Sequence, residues 1–131
     1  DPNSPAVFVW EGVVYYLSRE AVEATSRCVA AGCHPQSVLL FDYAGTNMAR
    51  GVNISEQDHA LRGILTDLGE PVRFGINNLV PLVAACGFTH LRTISFDEAC
   101  LSLTGTYARE RKFRFQSIAL VSRTPGSTPW S

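Results

Sequence analysis

Two carboxylates stand where an open parallel sheet would present them to a ligand. Glu11 follows the apolar run Ala-Val-Phe-Val-Trp at positions 6–10, and Asp42 lies at the end of the run Ser-Val-Leu-Leu-Phe-Asp-Tyr at positions 37–43. Ligands of such sheets bind outside the carboxyl ends of the strands. Neighbouring parallel strands would bring the two acids close together. Paired carboxylates there can hold an ammonium group, orient hydroxyls or act as a base. The competing reading is that each acid only caps the next helix or accepts loop N–H groups. Tyr15 and Tyr16 follow Glu11 closely. One of them could offer a phenolic hydrogen bond to an anionic or carbonyl group; otherwise both are packing residues.

Other chemistry is poorly supported. His34, His59 and His90 are scattered and read as structural or surface residues. Cys33-His34 has no second pair to complete a metal site, so no metal is expected. No G-x-G-x-x-G or G-x-G-x-G stretch occurs, so the close backbone approach that a Rossmann-type cofactor turn requires is missing. The acid expected further on to bind a ribose is missing as well. A G-x-S-x-G nucleophile elbow is also absent, which disfavours an α/β hydrolase.

The elements that must position these acids follow from pattern. The run at 6–10 is apolar without alternation and suits a strand buried on both faces. Ser18 is a plausible N-cap for a helix with Ala21, Val22, Thr25, Cys28 and Val29 on one stripe, ended by a left-handed Gly32. A second strand at 37–43 completes a βαβ unit and so implies parallel strands. Residues 44–54 read as an irregular segment. Ser55 with Asp58 resembles a capping box for a helix with Leu61, Ile64, Leu65 and Leu68 inward, ended by Gly69. Residues 70–75 are a connection. Asn78 can cap a third helix, with Pro81 in its first turn, Leu79, Leu82, Val83 and Cys86 on one face and Gly87 as its stop. A strand over 91–96, a short helix over 97–103 and a strong strand over 113–122 complete the chain.

The 131 residues suit one domain, placed at 1–123, with a frayed tail at 124–131. Hydrophobic residues make up 46 % and charged residues 18 %, a globular composition. The formal net charge of −1 gives no attraction to nucleic acid or an anionic membrane. The basic cluster Arg109, Arg111, Lys112 and Arg114 is interrupted by Glu110 and reads as a solvated loop. No apolar run approaches the roughly 20 residues of a membrane span. Four cysteines without a C-x-x-C pair fit the reducing cytoplasm. The chain begins at Asp1, so its true N-terminus is expected upstream.

The opening segment Asp1-Pro2-Asn3-Ser4-Pro5 leads into the first strand and then Glu11-Gly12-Val13-Val14-Tyr15-Tyr16-Leu17. It resembles the leucine carboxyl methyltransferases and their bacterial O-methyltransferase relatives, in which D-P-x-x-P precedes a buried strand and E-G-V-x-x-Y-L. The stretches at 37–43, 74–88 and 113–122 resemble later elements of that family. The resemblance therefore runs through nearly the whole chain but covers only the second half of a family member. It implies an α/β fold, half of a Rossmann-like methyltransferase sheet of about four strands, mostly parallel with the last antiparallel. It implies S-adenosylmethionine as cofactor, with Glu11 and Gly12 beside its methionine end and Tyr16 and Asp42 toward the substrate. The implied activity is methyl transfer to a carboxylate or hydroxyl of a small molecule. The glycine-rich loop belongs to the absent half, so this chain alone is expected to bind the cofactor weakly or not at all and to be inactive. The alternative is a non-catalytic half-Rossmann module that self-associates or binds a partner protein. In either case a homo-oligomer, such as a dimer, or the missing N-terminal half is the expected partner.

Overall fold

A computed structural model of the chain describes residues 1–106 and 114–125. Its strands are β1 (Val7–Trp10), β2 (Val38–Ala44), β3 (His90–Ser95) and β4 (Gln116–Ser122). They form one sheet in the order β1-β2-β4-β3. β1 and β2 are parallel, and β4 is antiparallel to both β2 and β3. The mixed α/β fold with an antiparallel last strand is therefore as the sequence predicts. Phe113, placed in that strand from sequence, lies outside the described residues, as do most of the basic cluster and the end of the tail.

Helix α1 (Arg19–Gly32) links the parallel pair. The Ser18 side chain accepts the Ala21 N–H, which supplies the predicted cap. The inward stripe differs from the expectation. Val22, Ser26 and Ala30 are buried at helical spacing, whereas Thr25 and Cys28 face solvent. Gly32 is also not a left-handed stop: it is the last helical residue, and Cys33 continues in extended backbone. Gly69 and Gly87 do adopt the left-handed conformation at the ends of their helices.

The segment read as irregular contains a short helix, α2 (Thr46–Arg50), closed by left-handed Gly51. In α3 (Glu56–Asp67) the Ser55 side chain accepts the Asp58 N–H. Only part of the predicted stripe turns inward there. Leu61 and Leu65 pack under the helix, but Ile64 is 57 % exposed and Leu68, just past its end, is 72 % exposed. In α4 (Val80–Ala85) the predicted face of Leu79, Leu82, Val83 and Cys86 is buried, and Asn78 accepts the Val80 N–H.

Helix α5 (Phe96–Thr104) opens on a complete capping box, with Ser95 accepting the Glu98 N–H and Glu98 accepting the Ser95 N–H. Ser95→Ala is expected to cost about 1 kcal/mol; urea denaturation monitored by circular dichroism measures it. Arg114, at the start of the second described stretch, ties to α5 through a two-nitrogen ion pair with Asp97.

The main core lies on one face of the sheet. Leu39, Phe41, Ala119 and Val121 meet Val22 and Ala30 of α1 and Leu82 and Val83 of α4. The opposite face is only partly covered. Along β1, Val7 is 67 % exposed and Val9 58 % exposed. β1 is thus not buried on both faces, as its unbroken apolar run predicts; it is an edge strand with one open face. Among the described residues no helix is long and apolar enough to cross a membrane.

Candidate functional site

Trp10, the last residue of β1, pairs in register with Phe41 of β2, so Glu11 leaves β1 beside Asp42, in the second half of β2. The structure brings them together as the parallel topology requires. Gly12 turns the chain out of β1 in the left-handed conformation, with φ of 67°. Its N–H then donates to Asp42 Oδ1 at 2.8 Å. The short 3-10 turn Val14–Tyr16 follows.

Tyr15 and Tyr16 diverge from that turn. Tyr15 is buried, with its ring edge-on to Phe115 and Tyr16. Its hydroxyl accepts a hydrogen bond from Gln116 Nε2 at 2.8 Å, and the same amide nitrogen donates to Asp42 Oδ2 at 3.2 Å. Burial, first, and then the hydrogen bond and negative charge of Asp42 push the Tyr15 phenol well above its usual range, so it stays protonated. Tyr16 is half-buried and packs against the second core cluster. Desolvation, and then the charges of Glu70 and Asp42, raise its phenol too. The Tyr16 phenol is therefore neutral near pH 7.

The acids border a cleft of about 320 Å³ on the less covered face of the sheet. Val9, Leu40 and Ile118 supply apolar strand residues, Phe96 approaches from the start of α5, and Trp10 and Gln116 line it as well. The Gly12 N–H takes one Asp42 oxygen and the Gln116 amide the other, and the Tyr15 phenol bonds the same carboxylate, so most of its acceptor capacity is engaged within the fold. Among the described residues neither Glu11 nor Asp42 has an ion-pair partner.

Glu11, Gly12 and Asp42 are thus gathered at one place, and Tyr16 lies beside it. Sequence reasoning missed Gln116, and it weighed Tyr15 without selecting it. The signal for Gln116 was the antiparallel last strand. Such a strand starts beside the carboxyl end of its parallel neighbour, and Gln116 pairs with Ala44 in that register. Among the described residues no group of three His, Cys, Asp or Glu side chains is placed to hold a metal ion. His34, beside Cys33, accepts the Gln36 N–H within its own turn.

No protein-family profile matches the chain, and no curated protein matches it in sequence. Solved structures do resemble it. A DUF574 family protein from Streptomyces avermitilis superposes with a TM-score of 0.64 at 11 % identity, covering 95 % of this chain and 46 % of that one. Human N-acetylserotonin methyltransferase, solved in complex with S-adenosylmethionine, gives 0.52 at 7 % identity, covering 91 % and 29 %. A candidate O-methyltransferase from Nostoc punctiforme gives 0.52 at 10 % identity, covering 88 % and 31 %. The chain spans less than half the length of each of these structures, and over that span it has the fold of methyltransferases.

Proposed function

We propose that this chain is the carboxyl-terminal portion of an S-adenosylmethionine-dependent O-methyltransferase acting on a carboxylate or hydroxyl of a small molecule. The observation that carries the reading is the sheet order β1-β2-β4-β3 with antiparallel β4, joined to paired acids at the carboxyl ends of β1 and β2. The E-G-V-x-x-Y-L segment at 11–17 supports the narrower resemblance to leucine carboxyl methyltransferases. The residues present fit one end of the cofactor. Glu11 and Gly12 suit its amino-acid end, and Tyr16 and Asp42 stand on the substrate side. No glycine-rich turn exists here for the nucleoside end. When bound, the cofactor supplies an electrophilic methyl group. This chain's own contribution is to orient the acceptor through Asp42, held by Gly12 and Gln116, and through the neutral Tyr16 phenol. Four free cysteines fit a reducing compartment such as the cytoplasm.

Calorimetric titration tests the assignment. The 131-residue chain is expected to show no micromolar binding of S-adenosylmethionine, and a chain extended upstream through the coding sequence is expected to bind it. Failure of the extended chain to bind would remove the methyltransferase reading. Micromolar binding by the 131 residues alone would overturn the expectation that the cofactor needs the absent half.

A second reading is a non-catalytic half-sheet module that associates with itself. The exposed valines of edge strand β1 favour it specifically.

A further inference from the structure

A second cleft, of about 270 Å³, lies where α1, α2 and the segment at 72–76 meet. Three arginines line it from these three parts of the chain. Arg19 opens α1, Arg50 closes α2 and Arg73 lies in the segment. Among the described residues that line the cleft there is no acid. Arg19 donates its Nε to Glu23 at 2.9 Å, which leaves both of its terminal nitrogens. The guanidinium groups of Arg50 and Arg73 have no hydrogen-bond or ion-pair partner among the described residues. The remaining stretches, 107–113 and 126–131, hold one acidic side chain, Glu110, against Arg109, Arg111 and Lys112, so their side chains bring no net negative charge. Three like charges gathered in one cleft repel one another, and an anion between them reverses that cost.

The neutral polar side chain of the cleft, Thr46, is committed to donating as well. Asn77 Oδ1 accepts the Thr46 N–H at 3.0 Å, which fixes the way the amide points. Asn77 Nδ2 then donates to the Thr46 hydroxyl at 2.9 Å, so that oxygen accepts and keeps its own hydrogen to give. Every polar side chain of the cleft therefore presents donors, independently of the charge on the arginines. One wall is held in place, because the N–H groups of Arg73 and Phe74 both donate to the Tyr15 carbonyl. We propose that this cleft binds a phosphoryl dianion, free or as a small phosphate monoester, with its oxygens among Arg19, Arg50 and Arg73 and one of them accepting from Thr46. A carboxylate would offset only one of the three positive charges. A phosphoryl group carries close to two negative charges near pH 7 and three acceptor oxygens, and guanidinium forks match such oxygens in pairs. The site is separate from Glu11 and Asp42 and does not depend on the methyltransferase reading.

Amide resonances of the nitrogen-15-labelled chain test the proposal. Phenyl phosphate, benzenesulfonate and phenol share one ring and differ in charge. Phenyl phosphate is expected to shift the amides of Thr46, Arg50 and Gly75 saturably, with a dissociation constant below about 1 mM. It should bind at least about ten-fold tighter than the singly charged benzenesulfonate, and phenol should leave those amides unmoved. Inorganic phosphate separates the two sources of the dianion: affinity equal to that of phenyl phosphate assigns the free ion, and weaker affinity assigns the ester. Arg50→Gln and Arg73→Gln should each weaken phenyl phosphate about three- to ten-fold, and added salt should weaken it further. Both positions are exposed, so the variants should keep the fold. Arg27→Gln, outside the cleft lining, should bind like the parent. No saturation up to about 10 mM would overturn the proposal. So would benzenesulfonate binding as tightly as phenyl phosphate, both cleft variants binding like the parent, or Arg27→Gln weakening binding as much as they do.

Discussion

Gly75→Ala is expected to cost about 3 kcal/mol, the upper end for forcing one extra carbon into a packed site. A Cβ built at Gly75 falls 2.4 Å from the Gly45 carbonyl oxygen and 2.7 Å from Ala49 Cβ. Neither neighbour moves easily. The Gly45 carbonyl accepts the Ala49 N–H in the first turn of α2, and Ala49 packs into the second core cluster. The segment that carries Gly75 is also held at both ends. The N–H groups of Arg73 and Phe74 donate to the Tyr15 carbonyl, and the Ile76 N–H donates to the Ala44 carbonyl. Val72, Phe74 and Ile76 alternate inward between these bonds. Lifting the segment would therefore expose core side chains and loosen Tyr15, whose hydroxyl shares the Gln116 amide with Asp42. Gly12→Ala is the comparison. It meets no atom within 4 Å, so only its left-handed φ of 67° opposes the methyl group, at a cost of about 1 kcal/mol. Urea denaturation of both variants measures the difference. Equal midpoints would show that the segment at 72–76 yields to the methyl group and is not fixed by the end of β2.

That segment also shows where sequence legibility stops. Residues 70–75 look like a plain connection because only two inward side chains, Val72 and Phe74, alternate there, and no ladder partner is visible in one chain of letters. The bonds that fix the segment end on carbonyls of Tyr15 and Ala44, far away in sequence. Caps were legible for the opposite reason. Ser18 and Ser55 bond to N–H groups three residues on, so cause and effect sit within one window. Helical stripes were legible in period but not in outcome. Ile64 and Leu68 repeat correctly with Leu61 and Leu65, yet face solvent. Periodicity marks an apolar stripe; it does not supply the surface that would cover it.

The candidate site follows the same division. Glu11 and Asp42 could be placed together because strand ends and parallel pairing are local inferences from a βαβ pattern. Gln116 joins them only once β4 is inserted next to β2, which is a statement about sheet order. Tyr15 and Tyr16 were equivalent in sequence because a turn of the 3-10 type gives no dependable apolar period. The fold separates them by burying Tyr15, whose hydroxyl meets Gln116, and leaving Tyr16 half-buried against the second core cluster.

The 131-residue chain is expected to self-associate through β1, and Val9→Lys is expected to return it to a monomer. β1 has a ladder partner on one side only. Edge strands of this kind pair with other chains unless they are shielded. Some shielding exists: Pro5 precedes the strand, and the Ala6 N–H is taken by the Ser37 hydroxyl. The arm at residues 1–4 does not lie over the strand's valines. It bonds to itself, with Asn3 N–H and the Ser4 hydroxyl both donating to the Asp1 carboxylate, and it remains exposed. Burying the exposed parts of Val7 and Val9 gives about 1–2 kcal/mol per side chain, or about 4–8 kcal/mol for the four in a twofold pair. Association costs at least about 4 kcal/mol in lost freedom. Strand pairing and contact along the open sheet face must supply the rest, so the dissociation constant is expected at about 10–100 μM. Light scattering coupled to size-exclusion chromatography should show a mass rising above the 14.3 kDa of one chain as concentration passes through that range. Val9→Lys places a charge on an exposed position, so it should leave the monomer's stability within about 0.5 kcal/mol while weakening association more than about ten-fold. A monomeric mass at every concentration up to about 1 mM, well above that range, would show that the β1 edge is not an interface between copies. An oligomer that Val9→Lys leaves intact would place the interface elsewhere on the chain.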